Sequence, residues 1–211
     1  MIKKVCLTGL NQYKITLDLL PKTNKKLKLL EVGAQRGVLR GHLPENISYI
    51  SLDMDEQSDY DIDLNKEKMP FDDESFDIVV CLEMLEHVLY PSRVIDELAR
   101  VLKRDGIMIL SMPNEYNFYL RAHYLLGKKI NQIDEPFMTV EKLLHIHKPR
   151  VEDIINIFKT HLQIEKIRYT WQSGKCFESR FFEGVDSFIN QLAQVWPSLF
   201  CRLVVVRGKK R

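Results

Sequence analysis

Between residues 27 and 112, short apolar runs alternate with segments of helical periodicity. That alternation is the mark of βαβ units on a mostly parallel sheet. Residues 27–32 read as a first strand ending at Gly33, 36–43 as the helix after it, and 47–52 as a second strand ending at Asp53. The next connection, 54–61, is polar and acidic, and shorter than the roughly ten to twelve residues of a helical crossover. It predicts a loop leading to a short third strand around 60–64. Phe76-Asp-Ile-Val-Val-Cys-Leu82 is nearly continuous in apolar residues, as a central strand covered on both faces requires. Pro91 suits the first turn of a helix running to about Lys103, with Val94, Leu98, Val101 and Leu102 on one face. Asp105-Gly106 closes that helix, 107–112 form a fifth strand, and Pro113-Asn114 breaks it before a helix that runs through Leu126 to Gly127. Beyond lie helices at 151–162 and 185–195 and strands at 163–171 and 200–207.

A chain of 211 residues fits one large domain with its own core. Thirty-one basic residues stand against 29 acidic ones, a formal charge of +2. So even a balance offers no general attraction for nucleic acid or an anionic membrane, which needs clustered Lys and Arg. Cys6, Cys81, Cys176 and Cys201 are far apart and form no CxxC pair, so they read as reduced thiols. The run from Met1 to Leu7 starts like a signal peptide but is ended early by Asn11 and Gln12, and no stretch approaches the length of a membrane span. The reading is a cytoplasmic protein with no membrane partner.

Chemistry concentrates at the ends of the predicted strands. In Glu31-Val-Gly-Ala-Gln-Arg-Gly37 a strand runs into a glycine-bearing turn ahead of a helix. Glycine there admits either a close ligand or simply close packing. A dinucleotide fingerprint needs three glycines, but Gln35 and Val38 occupy its second and third positions, and no GK[ST] follows for a P-loop. A ligand without a pyrophosphate fits better. Asp53, about 20 residues after the turn, stands where an acid can accept ribose hydroxyls, or it is a surface turn residue among the acids that follow it.

The third block is Asp63-Leu64, then Met69-Pro-Phe-Asp-Asp-Glu-Ser-Phe-Asp-Ile-Val-Val80, then Leu82-Glu-Met-Leu-Glu-His-Val88. With Glu97-Leu-Ala-Arg-Val-Leu-Lys103, Gly106 and Ser111-Met-Pro-Asn114, it resembles the small-molecule branch of the class I S-adenosylmethionine methyltransferases. The resemblance spans about residues 25–117. It implies a Rossmann-like α/β fold: a seven-stranded, mostly parallel sheet with helices on both faces and the last strand antiparallel. It further implies that S-adenosylmethionine is the cofactor. Glu31, Gly33, Ala34, Gln35 and Gly37 would line its methionine part. Asp53 would hold the ribose with Met54 against the adenine, and Asp63 with Leu64 beside it would meet the adenine amino group. Leu82 and Glu83 would approach the sulfonium, and His87 would stand near the acceptor. The family's third glycine is Gln35 here, and its helix between strands two and three is missing.

His87 is the candidate catalytic residue, as a base for an acceptor proton or as a residue that fixes its turn by a hydrogen bond. Asn114 is likewise either a polar ligand or a turn residue. For His145-x-His147 no Cys or carboxylate completes a four-ligand set nearby, so packing or solvent exposure is the reading and no metal ligand is assigned. The expectation is a single domain over 1–211, with a cofactor core at about 25–117 and acceptor-side elements in 1–24 and 118–211. The function it implies is methyl transfer to a small-molecule acceptor. A non-catalytic methyltransferase-like module regulating a partner enzyme is the alternative, favoured by Gln35. Tyr13, the aromatic stretch 116–124 with Arg121, and the segment 171–182 with Lys175 and Arg180 are the acceptor-side candidates.

Overall fold

The structure is a computed structural model, and it describes residues 11–35, 37–54, 56–128, 145–171 and 180–211. The expectations that fall on Cys6, Cys176, Lys175 and the N-terminal apolar run lie outside those residues.

Seven strands form one sheet in the order β3-β2-β1-β4-β5-β7-β6. They are β1 (Leu27–Val32), β2 (Ile47–Asp53), β3 (Tyr60–Asp61), β4 (Phe76–Leu82), β5 (Leu102–Pro113), β6 (Leu162–Thr170) and β7 (Leu203–Lys210). β1 through β5 are parallel, and β7 enters antiparallel between β5 and β6. Helices are α1 (Asn11–Leu19), α2 (Pro91–Val101), α3 (Phe118–Leu125), α4 (Val151–His161), α5 (Arg180–Val195) and α6 (Pro197–Phe200). The Rossmann-like sheet and its antiparallel last strand are as expected.

The two-residue period of the central strands sorts their side chains into two cores. Leu29, Ile78, Val80, Ile109 and Val205 face α1, where Tyr13, Leu19 and Leu20 are buried with them. Their neighbours Leu30, Val79, Cys81, Met108, Leu110, Val204 and Val206 face the other way, onto Val94, Leu98 and Val101 of α2 and Ile154 and Phe158 of α4. Both faces are covered, which is why β4 tolerates no polar residue after Asp77.

Two expected boundaries are corrected. The segment after β1 is no regular helix over 36–43 but a 3-10 turn at Val38–His42. Gly37 precedes it in the left-handed region (φ +59°), and Gly41 and Pro44 leave no room for a stable second turn. The helix after Pro91 stops at Val101, and β5 begins at once with Leu102. Residues 103–106, Asp105-Gly106 included, therefore do not end a helix. They bulge out of β5 opposite the single residue Asp77, between the pairs Phe76–Leu102 and Ile78–Ile107. Asp77 holds the bulge, its carboxylate accepting from Lys103 Nζ at 2.7 Å and from the Lys28 amide at 2.9 Å.

Where the second crossover lacks a helix, a side chain ties the connection to the sheet. Asp59 accepts from the Ser51 amide and hydroxyl, both at 2.9 Å, and returns its own amide to the Ser51 hydroxyl. It also pairs with Arg40. That network ties the loop to the β2 edge before the two residues of β3.

Phe158 is fully buried between α4 and the sheet, whereas Phe188 on α5 is 61% exposed. Phe158→Ala should therefore lower the unfolding free energy by about 3–5 kcal/mol, and Phe188→Ala by no more than about 0.5 kcal/mol. Urea denaturation of the two variants with an unchanged m value checks this.

Candidate active site

The strand order reverses between β1 and β4. Connections leave them toward opposite edges of the sheet, and a crevice opens at their carboxyl ends. A cavity of about 610 Å³ occupies it, formed by Val32 and Gly33 at the end of β1, Leu52, Asp53 and Met54 at the end of β2, and Glu83, Met84 and His87 after β4. Gln35, Glu56, Gln57, Ile62, Leu64 and Asn65 close its flank.

Three cavity residues have left-handed backbones: Gly33 (φ +74°), Gln35 (φ +44°) and Glu83 (φ +48°). At Gly33 a Cβ would lie 2.7 Å from the Met84 side chain. This glycine is thus required by the packing of the β4 turn over the β1 turn, as well as by its φ. Gln35 shows that the absent second glycine is no obstacle to the turn; its backbone takes the left-handed conformation and its side chain is exposed. Its amide donates to Asp53 Oδ2 at 2.6 Å, and the Met54 amide donates to Oδ1 at 2.7 Å. The Asp53 carboxylate is thereby held rigid at the cavity wall, each oxygen keeping a lone pair for a further donor.

Of the residues named from the sequence, Gly33, Gln35, Asp53, Met54, Leu64, Glu83 and His87 line the cavity together. Glu31, Ala34, Gly37, Asp63 and Leu82 stand behind that lining. Ala34 is buried and closes the turn, its carbonyl accepting from the Gly37 amide at 2.8 Å. Leu82 belongs to the core on the α1 side. Asp63 accepts from the Asn65 amide and pairs with Lys66 Nζ at 2.9 Å; the Lys66 bond, foremost, holds its carboxyl below the usual range.

Glu31 is 1% exposed and accepts from the Tyr49 hydroxyl. Burial pushes its pKa up to about 8, against the lowering effect of the Tyr49 bond. Glu83 is also raised, first by burial. Its backbone is fixed by the Ser111 hydroxyl and carbonyl, which both accept its amide.

Outside the cavity, Asn114 resolves to a buried strut: its amide nitrogen donates to the Ser198 and Cys201 carbonyls, and its oxygen accepts from Tyr116 N. Phe118 stacks on Trp171 with centroids 4.9 Å apart and so serves packing, while Tyr116, Tyr119 and Tyr124 are exposed. Arg121 bonds the Tyr116 carbonyl through Nε. The motif residues that carried the resemblance are largely braces too. Arg100 binds Glu97, Asp73 and the Phe71 and Met69 carbonyls, fixing the loop ahead of β4.

Sequence spacing could not reveal the cluster beside His87. His145 lies edge-to-face on His87 with centroids 4.8 Å apart, next to the buried Glu86. The Glu86 carbonyl accepts from the Ile146 and His147 amides, and His147 Nε2 lies 2.9 Å from the Val88 carbonyl. A run 58 residues downstream is thereby pinned to the β4 turn.

Glu31 makes stability depend on pH in a defined direction. Its folded pKa, near 8, lies above that of an unfolded carboxyl, so the stability it contributes is complete below about pH 4 and is lost as pH rises through about 8. The melting temperature of the wild type should therefore fall between pH 5 and 9 relative to that of Glu31→Gln. Parallel profiles would mean that Glu31 ionises normally.

Residues 30–110 match the family model described as a methyltransferase domain. A ubiquinone biosynthesis O-methyltransferase of Dechloromonas aromatica is 35% identical over 123 residues, covering 56% of this chain and 44% of that protein. Another protein of that name, from Hydrogenovibrio crunogenus, is 30% identical over 95 residues, with 44% and 39% covered. The chain thus spans less than half the length of these relatives. A solved S-adenosylmethionine dependent methyltransferase from Mesorhizobium loti superposes with a TM-score of 0.61 at 16% identity, covering 98% of this chain and 100% of that one. One from Aquifex aeolicus gives 0.57 at 12% identity, with 96% and 90% covered. Residues 30–110 are thus similar to a methyltransferase domain, and the fold is that of the solved S-adenosylmethionine-dependent methyltransferases.

Proposed function

We propose that this chain transfers a methyl group from S-adenosylmethionine to a small-molecule acceptor. The observation that carries the reading is the rigid Asp53 carboxylate facing a cavity at the switch point. Its two oxygens, each fixed by one amide, suit the paired hydroxyls of a ribose. Met54, Ile62 and Leu64 offer apolar contact to a flat base, and the cavity extends from there to Glu83 and His87. The residues present therefore fit a nucleoside ligand. Gln35, which favoured a non-catalytic module, leaves the turn intact.

S-adenosylmethionine, when bound, supplies a methyl group already activated on a sulfonium. The chain's own task is to hold the reactants in line and exclude water; positioning of this kind supplies up to about 7–11 kcal/mol in favourable systems. Glu83, with its backbone locked to Ser111, fixes the cavity end at which the acceptor is expected. His87, partly exposed there, is the residue placed to take a proton from an acceptor that keeps one. In this reading Glu31, Gly37 and Ala34 shape the turn from behind, and Asp63 supports the loop that carries Leu64. Acceptor contacts fall to elements outside the 25–117 core. The small-molecule acceptor is supported by the relatives named for ubiquinone biosynthesis. A cytoplasmic location is supported by the buried thiols of Cys81 and Cys201. Among the described residues no helix is long and apolar enough to cross a membrane.

S-adenosylhomocysteine should bind in calorimetric titration, and Asp53→Ala should weaken it by about 1–3 kcal/mol, the scale of a charge-assisted hydrogen bond. Unchanged affinity in a folded variant removes the ribose assignment. A metabolite screen that follows S-adenosylhomocysteine release tests the acceptor class. Turnover confined to RNA, DNA or protein would refute a small-molecule acceptor.

A further inference from the structure

We propose that Glu86, His87 and His145 bind a divalent cation of the zinc type at the inner end of the cavity. Each of the three offers a ligand atom, and these atoms lie within 4.8 Å of one another. Two imidazoles and a carboxylate are a set that zinc and its first-row neighbours take readily, with bonds of about 2.0–2.2 Å.

The environment of Glu86 supplies an independent reason. Its residue is 1% exposed, and among the described residues neither carboxylate oxygen has a hydrogen-bond partner. A buried carboxylate left in that condition is costly, and such groups are normally paired or coordinate a metal. His87 Nε2 lies 4.0 Å from Glu86 Oε1, too far for a hydrogen bond but close enough to share an ion.

His145 is prepared for the role. Its Nδ1 contacts the carboxylate of Glu115, itself buried. A carboxylate on one ring nitrogen fixes the proton there and turns the lone pair of Nε2 outward, the arrangement that typically orients metal-bound histidines. The segment is also pinned: Glu86's carbonyl accepts from the Ile146 and His147 amides at 2.9 and 3.2 Å. The ligand on the downstream segment is thus fixed to the backbone of the ligand on the β4 turn.

Three protein ligands leave a coordination position open. His87 lines the cavity beside Glu83, so that position faces the space assigned to the acceptor, where water or an acceptor oxygen would complete the set. With the cation bound, His87 is its ligand and no longer the group that takes the acceptor's proton. The role of the open position rests on the methyltransferase reading; binding of the cation does not.

Chelator-treated protein should be titrated with Zn²⁺ by calorimetry and with Co²⁺ by visible absorption, both without cofactor. The expected result is one saturable equivalent, weakened about 100-fold in Glu86→Gln and His145→Gln. Glu115→Gln should lose about 10- to 100-fold, as supporting residues do, and the remote His123→Gln should bind as wild type. No saturable binding to the wild type, equal affinity in folded Glu86→Gln and His145→Gln, or an equal loss in His123→Gln would overturn the proposal. Should the Glu86 and His145 variants fail to fold, the imidazole resonances of His87 and His145 in wild-type protein decide. Shifts on adding Zn²⁺ support the site, and unmoved resonances overturn it. S-adenosylhomocysteine titration of the same metal-free protein reports separately on the methyltransferase reading.

Discussion

The parallel pairing of β1 with β4 is the constraint on which the rest depends. Leu29 through Val32 lie opposite Ile78 through Cys81, in the most buried part of the sheet. From these two strands the chain departs to opposite edges, so nothing crosses the space above their carboxyl ends. The backbone must then turn sharply twice within that space. It does so through left-handed residues, Gly33 and Gln35 on one side and Glu83 on the other. The Met84 side chain, packed where a Gly33 Cβ would stand, locks the two turns together. Cavity shape is therefore a consequence of the strand order and of one missing methyl group.

The same crowding accounts for the electrostatics. Glu31, Glu83 and Glu86 lie close under or beside the crevice, and burial raises the pKa of each. None would be placed there for stability alone, since burying a carboxylate is unfavourable without full pairing. Tyr49 offsets part of the cost at Glu31 by donating to it. Acids concentrated at the ends of two neighbouring strands with raised pKa values are the kind of arrangement that functional sites build. The less buried acids nearby behave differently. Asp59 and Asp63 sit below their ordinary range and serve as braces for loops, through Ser51 and Arg40 in one case and Lys66 in the other.

Much of the family pattern turns out to encode scaffolding. Asp77 anchors the bulge of β5 through Lys103 and the Lys28 amide. Arg100 and Glu97 hold the loop ahead of β4, and Asn114 ties the end of β5 to α6. Such residues look like chemistry in a sequence because they are polar and closely spaced. Their contribution is to fix where the few cavity residues stand.

The sequence by itself determined the strands. Residues 27–32 and 76–82 are legible because a strand covered on both faces must be apolar throughout, and Pro91 marks its helix because proline needs no amide partner in a first turn. That Gly33 and Asp53 line the cavity was legible because both stand at strand ends, where α/β sheets open their crevice. Tertiary structure alone decided what depends on distant partners. The bulge at 103–106 exists because β5 must pair with β4 on both sides of Asp77. Asn114 became a strut, and not a ligand, when α6 arrived above it. Glu86 and His145 are 59 residues apart in sequence and meet only because the Glu86 carbonyl captures the amides beside His145. Backbone hydrogen bonding between segments so far apart leaves no period or spacing in the chain, so no reading of the sequence could have joined them.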